Sequence, residues 1–107
     1  MIKVKFYEKD GKIGMVLKGH AGSAPKGEDL VCASATMLAY TVAQVAKVMA
    51  ANGRLETKPR IKIRSGRAEV IVTPKEEAYE EAVHTFWVAK CGMEVLQHNY
   101  SANIRLM

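Results

Sequence analysis

Cysteine is scarce in this chain, with only Cys32 and Cys91, and the first residues carry no basic-apolar-small leader. A disulfide framework and secretion are therefore not expected: both thiols are read as reduced and the cytoplasm as the working compartment. Linkers and low-complexity tracts are also lacking. A length of 107 residues is short for two cores, so one domain spanning 1–107 is expected. Charge is absent from Leu30 to Ala46, a run that invites comparison with a membrane span. Ser34, Thr36, Thr41, Gln44 and the many alanines dilute its hydrophobicity, so a helix buried in a soluble core is the better reading, with no membrane partner. Acidic residues are outnumbered, 11 against 16 basic, and the net charge of +5 biases encounters toward acidic surfaces or nucleic acid.

What is present is strongly patterned. Ile2, Val4 and Phe6 alternate with polar residues, as do Ile13, Met15 and Leu17 beyond Asp10-Gly11, which predicts a β-hairpin. From Ala21 to Glu28 the residues are small, include Pro25, and read as a loop. Asp29 is then expected to cap a helix that runs to about Ala51 and stops at Asn52-Gly53. Pro59 to Ile63 and Arg67 to Thr73 alternate around Ser65-Gly66 and predict a second hairpin. Thr73, Pro74 and Glu76 have the form of a capping box for a helix reaching Asn99, and Ile104 to Met107 offer a last short strand. The order β-β-α-β-β-α-β predicts an α+β, two-layer sandwich with an antiparallel or mixed sheet covered by helices.

Two residues carry the chemistry. With Asp29 as cap, Cys32 falls at the third position of the helix, where unpaired amides and the positive end of the dipole favour a thiolate. From helix placement alone, a small core residue is the more ordinary reading of Cys32. His20 closes the second strand where the loop begins, and an imidazole can take a thiol proton and return it to a leaving amine. By itself, a solvated strand-end histidine explains it equally well.

The segment Gly19-His20-Ala21, followed by Gly27-Glu28-Asp29-Leu30-Val31-Cys32-Ala33, resembles the signature of the bacterial ribosomal-processing cysteine protease family (Prp, YsxB-like). Length, element order and the uncharged helix agree, so the resemblance spans essentially the whole chain. It implies a cysteine endopeptidase that removes the N-terminal extension of a large-subunit ribosomal protein, with Cys32 as nucleophile and His20 as general base and acid. It also implies a homodimer, and needs no cofactor or metal. Gly19, Asp29 and Thr36 match as supporting positions, although serine is expected in the family where Thr36 stands. Asp29 is read as a cap that holds Cys32 in place, and the free amides of the helix start as donors to the oxyanion. Gly22, Ser23, Ala24 and Gly27 would form a loop that lets a peptide approach and closes over it.

Other patterns argue for less. Gly22 and Gly27 have phosphate-loop spacing, but Glu28-Asp29 stand where a lysine and a hydroxyl are required. His84, Cys91 and His98 recur every seventh residue, about 10 Å apart in succession along a helix, too far for one metal. Tyr79, Ala82, Val83, Phe86 and Trp87 read as a core stripe, and Cys91 as structural. Lys58, Arg60, Lys62 and Arg64 alternate with Pro59, Ile61 and Ile63, giving one strand a cationic outer face. That strand supplies the alternative reading, a non-enzymatic ribosome- or RNA-binding module. Small and apolar residues on nearly every side of the first helix add an argument for self-association.

Overall fold

The computed structural model describes the backbone of residues 1–20 and 26–107, and the side chains of all of these except 26–29. The strands β1 (Ile2–Lys9) and β2 (Lys12–Lys18) precede the helix α1 (Lys26–Ala51). The strands β3 (Arg60–Arg64) and β4 (Arg67–Val72) follow, then a 3₁₀ turn at Glu76–Ala78, the helix α2 (Tyr79–Asn99) and β5 (Ile104–Leu106). The five strands form one mixed sheet in the order β3-β4-β2-β1-β5, antiparallel throughout except for the parallel pair β1–β5. The α+β, two-layer expectation is met.

The period of two decides which face is covered. Ile2, Val4, Ile13, Met15, Leu17, Ala68, Val70, Val72 and Ile104 are all buried, and the pairing Val4–Leu17–Ala68 and Phe6–Met15–Val70 puts them on one face. Both helices pack there. The α1 helix lies over β3 and β4, while α2 lies over β1, β2 and β5. Val31, Ala35, Ala39, Val42, Ala43, Ala46 and Met49 give α1 its buried stripe. Alanine recurs along this stripe because a small side chain lets the helix backbone come close to the sheet. The other side of α1 keeps Leu30, Met37, Tyr40 and Val48 exposed, so the helix is buried on one face rather than all round. By length and composition, Leu30–Ala51 is also long and apolar enough to cross a membrane.

Helix ends correct the sequence reading in two places. The α1 helix begins at Lys26, so Asp29 lies inside it and cannot be its N-cap. Glu28 and Gly27, expected in a loop, are likewise helical. At the start of α2 no side-chain cap forms: Pro74 bridges to Leu55, the Thr73 carbonyl accepts from the Glu56 amide at 2.7 Å, and the chain enters through the 3₁₀ turn. Backbone pairing with the 55–56 segment competes successfully with the capping box. The stop at Asn52-Gly53 is as expected, with the Arg54 amide on the Met49 carbonyl at 2.9 Å and the Gly53 amide on the Ala50 carbonyl at 3.1 Å, a Schellman closure. Trp87 is a further correction: it is exposed rather than part of the core stripe, with the His84 ring stacked on it at 5.6 Å between centroids.

A thiol and an imidazole at one cavity

A cavity of about 330 Å³ opens where the end of β2, the β3–β4 turn and the N-terminal half of α1 meet. Its walls include His20 and Gly19 from the β2 end, Cys32, Thr36 and Tyr40 from α1, and Arg64, Ser65, Gly66 and Arg67 from the turn. Strand order explains the meeting. The β4 strand lies beside β2 with Lys18 opposite Arg67, so the turn preceding β4 is delivered to the residues following β2.

Gly19 fixes where the imidazole starts. Its φ is 96°, a β-carbon there would stand 2.5 Å from the Met1 carbonyl oxygen, and its amide donates to the Gly66 carbonyl at 2.9 Å. No other residue tolerates both the dihedral and the approach. The Met1 amino group in turn donates to the His20 carbonyl. The His20 side chain is exposed and its ring lies over Gly66, where a β-carbon would stand 2.9 Å from Nε2. With a φ of 77°, Gly66 thus serves both the turn and the seat of the ring.

Cys32 is half-buried on α1, packed against the core on one side and lining the cavity on the other. Neither it nor Cys91 is in a disulfide. It stands six residues after Lys26, well past the third helical position, so its own amide belongs to the i to i−4 ladder. The expectation of a thiol among unpaired first-turn amides, and of those amides as oxyanion donors, is thereby overturned. Thr36 follows one turn later on the same cavity wall. Of the supporting positions, Gly19 and Thr36 join His20 and Cys32 at the cavity, whereas the side chain of Asp29 lies outside the described residues, as do Gly22, Ser23 and Ala24.

The residues missed by sequence reasoning are Tyr40, Arg64, Ser65, Gly66 and Arg67. Ser65-Gly66 was readable as a hairpin turn, but its neighbourhood depends on β4 pairing with β2, which period and composition do not specify. Arg64 and Arg67 bring positive charge to the cavity lining, a setting that suits an anionic sulfur or oxygen.

Thiol and imidazole side chains lining one open cavity, on a small α+β scaffold, are the equipment of a thiol-dependent hydrolase. The chain matches the family described as "Cysteine protease Prp" over residues 1–105, belongs to that family, and is a cysteine protease. No curated protein sequence matches it. Among solved structures it is similar to the ribosomal processing protease Prp of Staphylococcus aureus in complex with a substrate peptide. That likeness has a TM-score of 0.69 at 22% identity, covering 100% of this chain and 98% of the other. The same staphylococcal protease with a covalently linked product peptide gives a TM-score of 0.67 at 23% identity, over 99% and 97% of the two chains. The SMU.848 protein of Streptococcus mutans gives 0.72 at 23% identity, over 99% and 91%.

Proposed function

We propose that this protease removes the N-terminal extension of a bacterial large-subunit ribosomal protein, using Cys32 as nucleophile and His20 as general base and acid. The observation that carries the reading is the delivery of His20 and Cys32 to one open cavity, from two elements, in a chain of the cysteine protease Prp family. The staphylococcal relatives hold substrate and product peptides, which supports a peptide as the occupant here.

In this mechanism His20 accepts the thiol proton and the Cys32 sulfur adds to the scissile carbonyl. Collapse of the tetrahedral adduct expels the amine, which takes the proton from His20, and leaves a thioester. Water, deprotonated by the same imidazole, then releases the acid and restores the thiol. Thr36 supplies a hydroxyl at the cavity wall, and the guanidinium groups of Arg64 and Arg67 are the cationic groups of the lining from which the oxyanion draws stabilisation.

The deciding experiment incubates the native protein and Cys32→Ala with the extended ribosomal precursor and follows the N-terminus by mass spectrometry. Shortening by the native protein alone is expected; an intact precursor with native protein, or equal cleavage by Cys32→Ala, overturns the assignment. The non-enzymatic alternative falls with the family membership. We further propose a cytoplasmic homodimer joined through the outer face of the helical layer, where Leu30, Met37, Val48, Val88 and Val95 are exposed. Light scattering that finds a monomer at micromolar concentration refutes the pairing.

A further inference from the structure

The face of the sheet turned away from the helices carries ten of the 16 basic residues: three from β1, two from β2, three from β3 and one each from β4 and β5. Among the described residues its only acid is Glu69, which is 9% exposed and pairs with Arg60 at 3.2 Å. Register sharpens this into a line. Arg64 is opposite Arg67, Arg67 opposite Lys18, Lys18 opposite Lys3, and Lys3 opposite Arg105, so one row across all five strands is cationic at every position. Four of the five are exposed and Arg67 is half-buried. Among the described residues none of the five has a carboxylate within ion-pair distance. Beside the row lies a basin of about 630 Å³ lined by Lys3, Lys5, Val16, Lys18, Arg67 and Met107.

Like charges directly opposite one another on a sheet are destabilising. Folding alone does not call for five abreast. At about 4.8 Å between strands the row is roughly 19 Å long, a straight track of positive charge suited to a linear, regularly spaced polyanion. A membrane surface fits less well. Among the described residues, seven of the nine exposed large apolar side chains, Leu30, Met37, Val48, Trp87, Val88 and Val95 among them, lie on the helices, on the opposite side of the molecule; Met107 at the chain end lines the basin, and Val16 and Ile71 on the open face are half-buried between strands.

We propose that the open face of the sheet is a docking surface for the phosphate backbone of RNA, with the row Arg64–Arg67–Lys18–Lys3–Arg105 as its track. Arg67 lines both the basin and the cavity that holds His20 and Cys32, so the track runs to the rim of the peptide site. A substrate protein attached to RNA would thereby bring its tail to the cavity while its RNA lies on the sheet. The choice of RNA among polyanions rests on the proposed ribosomal substrate.

The test is a fluorescence anisotropy titration of a short structured RNA with the Cys32→Ala protein, across about 50 to 200 mM salt. Cleavage of a precursor peptide free of RNA is measured separately with active protein, so failure of one reading is seen apart from the other. A track contacting about four phosphates gives a slope of log Kobs against log salt of roughly −3 to −4. Lys3→Gln with Lys18→Gln is expected to weaken binding at least about tenfold and flatten the slope by about 2. Lys47→Gln with Lys90→Gln, an equal charge change on the helical side, is expected to cost less than about twofold. RNA-free peptide cleavage by both double variants stays at the native level. Equal losses in the two variants, no binding at low salt, or displacement of RNA by polyglutamate at matched charge would each overturn the proposal, the last in favour of an acidic protein. Thermal melts verify folding, and the salt slope of the unsubstituted surface gives a readout that needs no variant.

Discussion

The two faces of the sheet are built from the same strands, residue by residue in alternation, and obey opposite rules. On the covered face Val4, Met15, Val70 and Ile104 are at or below 1% exposure and belong to one buried hydrophobic cluster, so volume and shape decide what is tolerated. On the open face the same strands set Lys3 against Lys18 and Lys18 against Arg67, and charge decides. Stability is thus concentrated on one side of a layer a single strand thick, and repulsion on the other. The cavity opens at the strand ends where the two regimes meet, and its lining takes Ile2, Leu17 and Ala68 from the first and Arg64 and Arg67 from the second.

The comparison breaks most visibly at adjacent residues of β2. Met15 is fully buried and its neighbour Val16 is half-buried on the open face. Met15→Ala removes a side chain from the centre of the core and leaves a void, for an expected loss of about 2–5 kcal/mol. Val16→Ala is expected to lose less than about 1 kcal/mol. Chemical denaturation of the two variants, analysed with a common slope, measures the difference; equal losses would mean that the open face is packed against something in solution.

Next in size is the seat of the imidazole. Gly66→Ala places a β-carbon at a φ of 77° and 2.9 Å from His20 Nε2. The strained dihedral costs about 1–2 kcal/mol, and the ring must swing away to admit the methyl group. Displacing a catalytic group by about 1 Å costs on the order of a hundredfold in rate. A fall in kcat of that order, with KM little altered and the fold retained, is expected in steady-state cleavage assays. Unchanged kcat would count against the proposed role of His20 as general base at this seat.

How much of this was legible follows from range. Period two gave both hairpins and the face assignment of Ile2, Val4, Ile13, Met15 and Leu17, because alternation is a local signal. The basic face of β3 was equally local. The continuation of that face through Arg67, Lys18, Lys3 and Arg105 was not, because it depends on β4 inserting between β3 and β2, and on β5 returning parallel to β1. For the same reason His20 and Cys32 were both identified, through a resemblance in sequence, while Gly66 and Arg67 were not. Capping signals failed at both helix starts. Asp29 was read as a boundary although three further residues, Lys26 to Glu28, extend the helix. Thr73 looked like a cap, but its backbone is engaged with Glu56, a partner 17 residues earlier.

The row itself yields a prediction of opposite sign to Met15→Ala. Because Lys3 and Lys18 are paired across β1 and β2 and Lys18 also faces Arg67, neutralising both lysines removes like-charge opposition. A gain of about 0.2–1 kcal/mol is expected for Lys3→Gln with Lys18→Gln, shrinking as salt is added, since screening already weakens exposed repulsion. Thermal melts at low and high ionic strength decide it. A loss of stability at low salt would mean that these side chains hold the sheet together rather than strain it.

The smallest effect lies at the other end of the sheet, on the covered side. The Tyr79 hydroxyl donates to Glu8 Oε2 at 2.7 Å, and this hydrogen bond, then burial and the charges of Glu8 and Glu80, holds its pKa above the ordinary 10.0. On the open face, burial first and then Glu69 raise Tyr7 in the same direction, with Arg60 opposing. In both cases the folded state keeps a proton that the unfolded chain gives up near pH 10, so the unfolded state binds fewer protons above that pH. The sign follows: the stabilisation is present below pH 10 and is lost as pH rises through the folded-state values. Tyr79→Phe removes the bond to Glu8, so its stability, compared with native protein between about pH 8 and pH 11, should start slightly lower and fall less steeply above pH 10. Parallel curves for the two proteins would assign the alkaline loss to Tyr7 alone, and so to the open face.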